Sequence, residues 1–164
     1  FPFPEDRITK ILDGVDKMLD CKEGVFKLIE MFKKFYDDSH GKLLPVRAEV
    51  VVGDEEWGVT GMIDQLFLNE KSGNIEIWDW KTNKAMKKHN KWQQFKKPIS
   101  NLDVCELNTY SLQLSFYRLI VERNTNLNLG DSYIVWFNEN NETYKVIKCY
   151  DFRDDILKIM NNKS

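Results

Sequence analysis

No apolar run in this 164-residue chain approaches the roughly 20 residues needed to cross a bilayer, so no membrane-spanning helix is expected. The mixed Lys and Asp content of the first segment is wrong for a secretory leader, so the protein reads as not secreted. Cysteine is scarce. Cys21, Cys105 and Cys149 are odd in number and widely spaced, which excludes the usual zinc and iron–sulfur spacings and fits free or buried thiols in a reducing compartment. Excess positive charge is also missing. A net charge of −2 argues against coating a polyanion over the whole surface, while leaving room for a local basic groove. Internal repeats and low-complexity tracts are absent. What is there, 42% hydrophobic and 30% charged residues, suits one globular domain over 1–164, with a helical lead-in over 1–41 and a core over 42–164. The chain begins with Phe1, which reads as a processed chain or an excerpt of a longer one.

Periodicity predicts the elements. Ile8, Ile11, Leu12, Val15, Met18 and Leu19 recur at helical spacing over 5–19, and Val25, Leu28, Ile29, Phe32 and Tyr36 over a second helix ending near Ser39-His40-Gly41. Pro45 to Val52 and Trp57 to Leu68 read as a hairpin turned by Gly53-Asp54-Glu55-Glu56. A turn over Asn69–Asn74 leads to a third strand, Ile75 to Lys81. A loop with a short helix is expected next, over Lys84 to Lys97. Then come a long helix over Val104–Arg123, a second hairpin (Ser132–Phe137, Thr143–Tyr150) and a closing helix from Asp151 to Met160, capped by Asp151. The order is ααβββαββα, an α/β fold with a mixed sheet flanked by helices.

The chemistry lies where strand alternation places charge among apolar neighbours. Ile75, Ile77, Asp79 and Lys81 share one face of the third strand, with Glu76, Trp78 and Trp80 on the other. Met62, Asp64, Leu66 and Leu68 share a face of the strand before it. An unpaired buried carboxylate costs several kcal/mol, roughly, so two such strands call for a cation, a hydrogen-bond network or an open cleft. Mg²⁺ takes oxygen ligands and keeps several waters, so Asp64 and Asp79 suit it. Such a site can activate water and polarise a phosphodiester. Glu49, on the polar face of the first strand with Arg47, is placed to add a third carboxylate. Lys81 could orient the attacking water or offset charge developing on phosphate. On the long helix Gln113 and Tyr117 are i, i+4 neighbours, with Tyr110 a turn earlier, and this face would line the cleft.

Each of these residues also has an ordinary reading. Asp64 is an exposed strand acid if the register slips by one, Asp79 with Lys81 a surface ion pair, Glu49 a solvated acid, and Gln113 with Tyr117 a half-buried helix face. The lysines after the third strand, Lys87, Lys88 and Lys91 among them, are solvated surface or a strand contact. Trp92 and Phe95 interleaved with them favour the contact. His89 reads as touching solvent or phosphate, and Trp57, Trp78 and Trp136 as core.

Taken in order, Glu49, Gly61-x-x-Asp64, Asp79-x-Lys81-Thr82 and Gln113-x-x-x-Tyr117 resemble the PD-(D/E)XK nuclease superfamily, specifically its RecB-like branch, over roughly residues 46–150. That branch includes mitochondrial genome-maintenance exonucleases and many phage proteins. The resemblance implies a restriction-endonuclease-like core, dependence on Mg²⁺ or Mn²⁺, and cleavage of DNA, often from the end of a single strand. It makes Asp64 and Asp79 metal ligands with the backbone carbonyl of Trp80, Lys81 the catalytic lysine, and Gln113 and Tyr117 support for the site and for DNA. It also implies no membrane partner, a cytoplasmic setting in a bacterium or infected host cell, and a larger replication or recombination assembly as a possible context. The rival expectation is a module of this fold that binds DNA or protein without cutting. Two departures stand out. The branch commonly carries a metal-binding His on an upstream helix, whereas His40 lies nine residues before Glu49, outside a predicted helix. Some members hold an iron–sulfur cluster with one upstream and three C-terminal cysteines, which Cys21, Cys105 and Cys149 do not supply, so no such cluster is expected.

Overall fold

A computed structural model describes residues 22–161. The helix expected over 5–19 and Cys21 lie outside the described residues. In chain order the elements are α1 (Lys22–Ser39), β1 (Leu43–Asp54), β2 (Val59–Asn69), β3 (Ile75–Lys81), α2 (Glu106–Asn124), β4 (Leu129–Trp136), β5 (Lys145–Lys148) and α3 (Arg153–Asn161). The strands form one sheet in the order β1-β2-β3-β4-β5. Neighbours are antiparallel except β3 and β4, which run parallel. A parallel pair needs a crossover, and α2 supplies it. That connection lays α2 over the sheet face that carries Asp79.

Both faces of the sheet are covered, so the molecule has two apolar layers. Against α1, Met31 and Phe35 pack with Phe67, Trp78, Val135 and Phe137. Phe35 and Phe67 are each 1% exposed, and truncating either to Ala should cost about 3–5 kcal/mol. Against α2, Leu107, Leu114, Ile120 and Val121 pack on Ile63, Leu66, Ile77 and Ile134. The outer side of α2 is closed by α3, where Ile156 joins Leu112 and Leu119. Two small residues let the chain approach closely there. Ser111 Oγ accepts from Tyr150 N–H at 3.0 Å and Ser115 Oγ from Phe152 N–H at 2.9 Å, which seats the β5–α3 connection on the helix. The closing helix begins at Arg153 rather than Asp151, and Asp151, one residue outside the cap position, accepts from Arg153 N–H at 3.2 Å.

Three expectations need correction. The turn of the first hairpin falls at Glu55–Gly58, not 53–56, because β1 runs on to Asp54. Asp54 Oδ1 accepts from Trp57 N–H at 3.0 Å and Gly58 takes φ +62, so the side chain and the glycine together close the turn. The segment between β3 and α2 holds no helix. Its lysines and asparagines give it no apolar stripe to bury, and it is held by hydrogen bonds from Asn90 and by a Gln94–Asp103 bridge. On β2, Ile63 rather than Met62 enters the core: Ile63 is 0% exposed and Met62 48%. Since Ile63 and Leu66 occupy one cluster, simple alternation fails between them. Opposite this point β1 places Glu49 at φ +51, a left-handed conformation uncommon outside glycine, and Glu49 drops out of the pairing while the register on either side of it is kept.

Candidate active site

β3 alternates as expected. Ile77 joins the cluster under α2, while Trp78 and Trp80 pack into the aromatic layer under α1, Trp80 at 5.4 Å from Phe35 between ring centroids. Asp79 and Lys81 therefore project toward α2. Asp79 is 3% exposed, and Lys81 Nζ lies 2.5 Å from its Oδ2. This is a buried ion pair, not a surface one. Oδ2 is buried, and the charge it carries is met by this ammonium.

The contrast with Glu76, on the same strand and 5% exposed, identifies what is unusual. Glu76 Oε1 accepts from Asn69 Nδ2 at 2.8 Å and Oε2 from Trp78 Nε1 at 3.0 Å, so a buried acid used for structure is fully satisfied here. Asp79 instead relies on a charged partner, the Lys81 ammonium, rather than on neutral donors.

Asp64 comes to the same place from β2. Its Oδ2 accepts from the Trp80 backbone N–H at 3.0 Å, across the strand junction. Trp80 thus has its backbone on the carboxylate side and its ring on the other. Burial pushes the Asp79 carboxyl up to about 6, Lys81 pulls against that rise, and the neighbouring Asp64 adds to it. Two adjacent carboxylates, one of them buried and pushed up in part by the other, fit a divalent cation. Mg²⁺ commonly uses one or two carboxylates and fills the remaining positions with water.

The α2 face closes over this pair. Lys81 Nζ sits over the Tyr110 ring, 4.7 Å from its centroid. One turn on, Gln113 Nε2 donates to Tyr117 Oη at 2.9 Å. Tyr117 in turn lies directly on Gly61, where an added Cβ would be 2.3 Å from Cε1 of the ring. The glycine before Asp64 thus makes room for the helix face, and Gln113 holds the ring in place. The structure brings together Asp64, Asp79, Lys81 and the Tyr110–Tyr117 face. It does not gather Glu49 with them. Glu49 is exposed, and the described residues contain no group of three or more His, Cys, Asp or Glu side chains arranged to hold a metal. His40 is exposed at the end of α1, lining a cavity with Tyr36 and Pro45.

Asn138 is a site-supporting residue that sequence alone did not disclose. It is 5% exposed, and its Nδ2 donates to the carbonyls of Asn83 and Lys84 at 3.1 and 3.0 Å, pinning the chain as it leaves β3. Trp136 Nε1 donates to the same Asn83 carbonyl at 2.7 Å. In the sequence Asn138 reads as a hairpin turn, and its partners lie more than fifty residues away.

The site is thus a strand-borne acid pair with an adjacent lysine on a mixed sheet, under a crossover helix. The profile of the PD-(D/E)XK nuclease superfamily matches residues 11–159, and the chain belongs to that superfamily. Among solved structures, the crystal structure of a Eubacterium rectale protein provisionally named an exonuclease is similar, with a TM-score of 0.52 and 16% identity. The match covers 86% of this chain and 50% of that one, so the chain spans half of that protein's length. No curated protein matches. No helix of the described residues is long and apolar enough to cross a membrane.

Proposed function

We propose that this nuclease-superfamily chain is a Mg²⁺- or Mn²⁺-dependent deoxyribonuclease acting on single strands or ends, in bacterial or phage replication or recombination, in the cytoplasm of a bacterium or infected cell. The observation that carries the reading is the buried Asp79 carboxylate set beside Asp64 and the Lys81 ammonium. Asp64 and Asp79 would hold the cation, with the Trp80 carbonyl. When bound, the metal lowers the pKa of a coordinated water and polarises the scissile phosphate. Lys81 holds its ammonium at the carboxylate pair, where it can orient the attacking water and offset charge developing on the phosphate oxygens. Tyr110 keeps that ammonium in place, and the Gln113–Tyr117 pair braces the face on which the strand lies. Lys87, Lys88 and Lys91 contribute phosphate contacts.

The test is cleavage of end-labelled single- and double-stranded DNA with Mn²⁺, Mg²⁺ or EDTA, using wild type, Asp79→Asn and Lys81→Ala. Metal-dependent products absent from both variants support the reading, and the product ladder separates exonucleolytic from endonucleolytic action. A folded wild type that binds metal and DNA but makes no products would replace it with a non-cleaving module of the same fold.

A further inference from the structure

Between β3 and α2 lies a surface that the carboxylate pair does not use. Residues 84–97 contain Lys84, Lys87, Lys88, Lys91, Lys96 and Lys97 and no acid. All six lysines are exposed, and among the described residues none of them is in an ion pair. Trp92, in their midst, is 95% exposed. Its backbone is nevertheless fixed. Trp92 N–H donates to Asn90 Oδ1 at 3.1 Å, Asn90 Nδ2 to the Val104 carbonyl at 2.8 Å, and Val104 N–H to the Gln93 carbonyl at 2.9 Å. Phe95, three residues on, packs with Ile99 and Leu112. A pinned loop thus turns an indole wholly outward amid unpaired cations, leaving a large apolar face in water.

Inside the loop, against the first turns of α2, is a cavity of about 320 Å³ bordered by Lys87, Asn90, Glu106, Thr109 and Tyr110. Tyr110 is also the ring beneath the Lys81 ammonium, so one side chain borders both the cavity and the carboxylate site. A cavity of this size suits a small-molecule-sized group, and its lining offers an aromatic ring, a cation and polar edges, the chemistry of a nucleotide.

We propose that loop 84–97 and the start of α2 form a subsite for an unpaired nucleic-acid strand, with one nucleotide in the cavity against Tyr110 and a base stacked on Trp92. The inference rests on the nuclease reading above. Stacking requires a free base face, which a paired duplex lacks, so the subsite selects unpaired strands. An anionic lipid surface would also attract lysines and an indole. The continuity through Tyr110 with the carboxylate site favours the strand.

The experiment is equilibrium binding in EDTA, where cleavage does not enter, of a fluorescently labelled single strand and its matching duplex to wild type, Trp92→Ala and Tyr110→Leu. A base–aromatic stack is worth enough that Trp92→Ala should bind the single strand about 5- to 150-fold more weakly, with duplex affinity unchanged. At 95% exposure Trp92 contributes little to the fold, so its loss reads on binding alone. A strand carrying 2-aminopurine should be quenched by wild type and not by Trp92→Ala. Single-strand affinity within about twofold of wild type, or an equal loss on the duplex, would overturn the subsite. So would Trp92-dependent binding to phosphatidylserine vesicles without any on DNA. The nuclease reading fails separately. Trp92-dependent strand binding with no products in Mg²⁺ or Mn²⁺ leaves the subsite standing, and a cutting enzyme indifferent to Trp92→Ala removes the subsite alone.

Discussion

Replacing Asp79 with Asn should stabilise the metal-free protein above acidic pH and remove its stabilisation by divalent cations. The folded carboxyl is held up at about 6, chiefly by burial, against about 3.9 in an unfolded chain. The folded state therefore binds this proton more tightly than the unfolded state does. Stability falls as pH rises from about 4 to about 6, and the full penalty applies above that. Two pKa units correspond to about 3 kcal/mol. Asn keeps the shape without the charge but leaves Lys81, whose side chain is 20% exposed, without its partner at 2.5 Å. The pull of Lys81 is already contained in the folded value of about 6, so the expected gain is up to about 3 kcal/mol, or up to roughly 10 °C in Tm. Thermal unfolding of both proteins in EDTA, from about pH 4 to about pH 8, should show the gap opening between 4 and 6 and flattening above. With Mg²⁺ about 100-fold above its Kd, wild type should gain about 2.7 kcal/mol and the variant nothing. A gap independent of pH, or equal Mg²⁺ stabilisation of the two, would refute the reasoning.

Gly61→Ala puts a methyl into the Tyr117 ring, so it should cost about 1–3 kcal/mol in urea unfolding, with the penalty abolished in a Tyr117→Ala background. A penalty that survives there would mean the glycine acts through its backbone. The Asp54 carboxyl is held below its usual range by Arg123, with help from Trp57 N–H and Asn124. Its contribution is present above the unfolded pKa and lost as pH falls through the lowered one, so Asp54→Asn should be less stable at neutral pH and converge on wild type in acid. A constant difference between the two would count against this. Burial pushes the Cys149 thiol up to about 12, and Cys105 is buried too, so iodoacetamide should label both only after denaturation. Fast labelling of native Cys149, read by peptide mass spectrometry, would contradict it. Lys87→Ala, Lys88→Ala and Lys91→Ala should each reduce the salt slope of single-strand binding by about 0.7, whereas a purely solvated lysine would leave it unchanged.

The site was legible where chemistry and spacing coincide. Asp79 and Lys81 follow two apolar residues of matching parity, and their alternation with Trp78 and Trp80 held because a central strand buried on both faces has no freedom to slip. Gln113 and Tyr117 were visible as an i, i+4 pair and are hydrogen-bonded. β2 was harder, because β1 is an edge strand and the left-handed Glu49 leaves the pairing opposite Asp64. Parity there predicted Met62 inward, and the fold chose Ile63. Trp92 and Phe95, three residues apart in one loop, look alike in sequence and part company in the structure, one outward and one half-buried against the core.

The amino-acid order by itself determined the described helices and strands, though not the helix-free course of residues 84–97, together with the strand positions of both acids and the lysine and the superfamily pattern, because these follow from local periodicity and side-chain chemistry. Tertiary structure alone decided that Asp79 is buried against an ammonium while Glu76 is satisfied by neutral donors, that Tyr117 rests on Gly61, that Asn138 pins the exit of β3, and that Tyr110 borders both the carboxylate pair and the basic loop. Each of these depends on which residues a parallel crossover brings together from distant parts of the chain, and spacing along the chain carries no record of that.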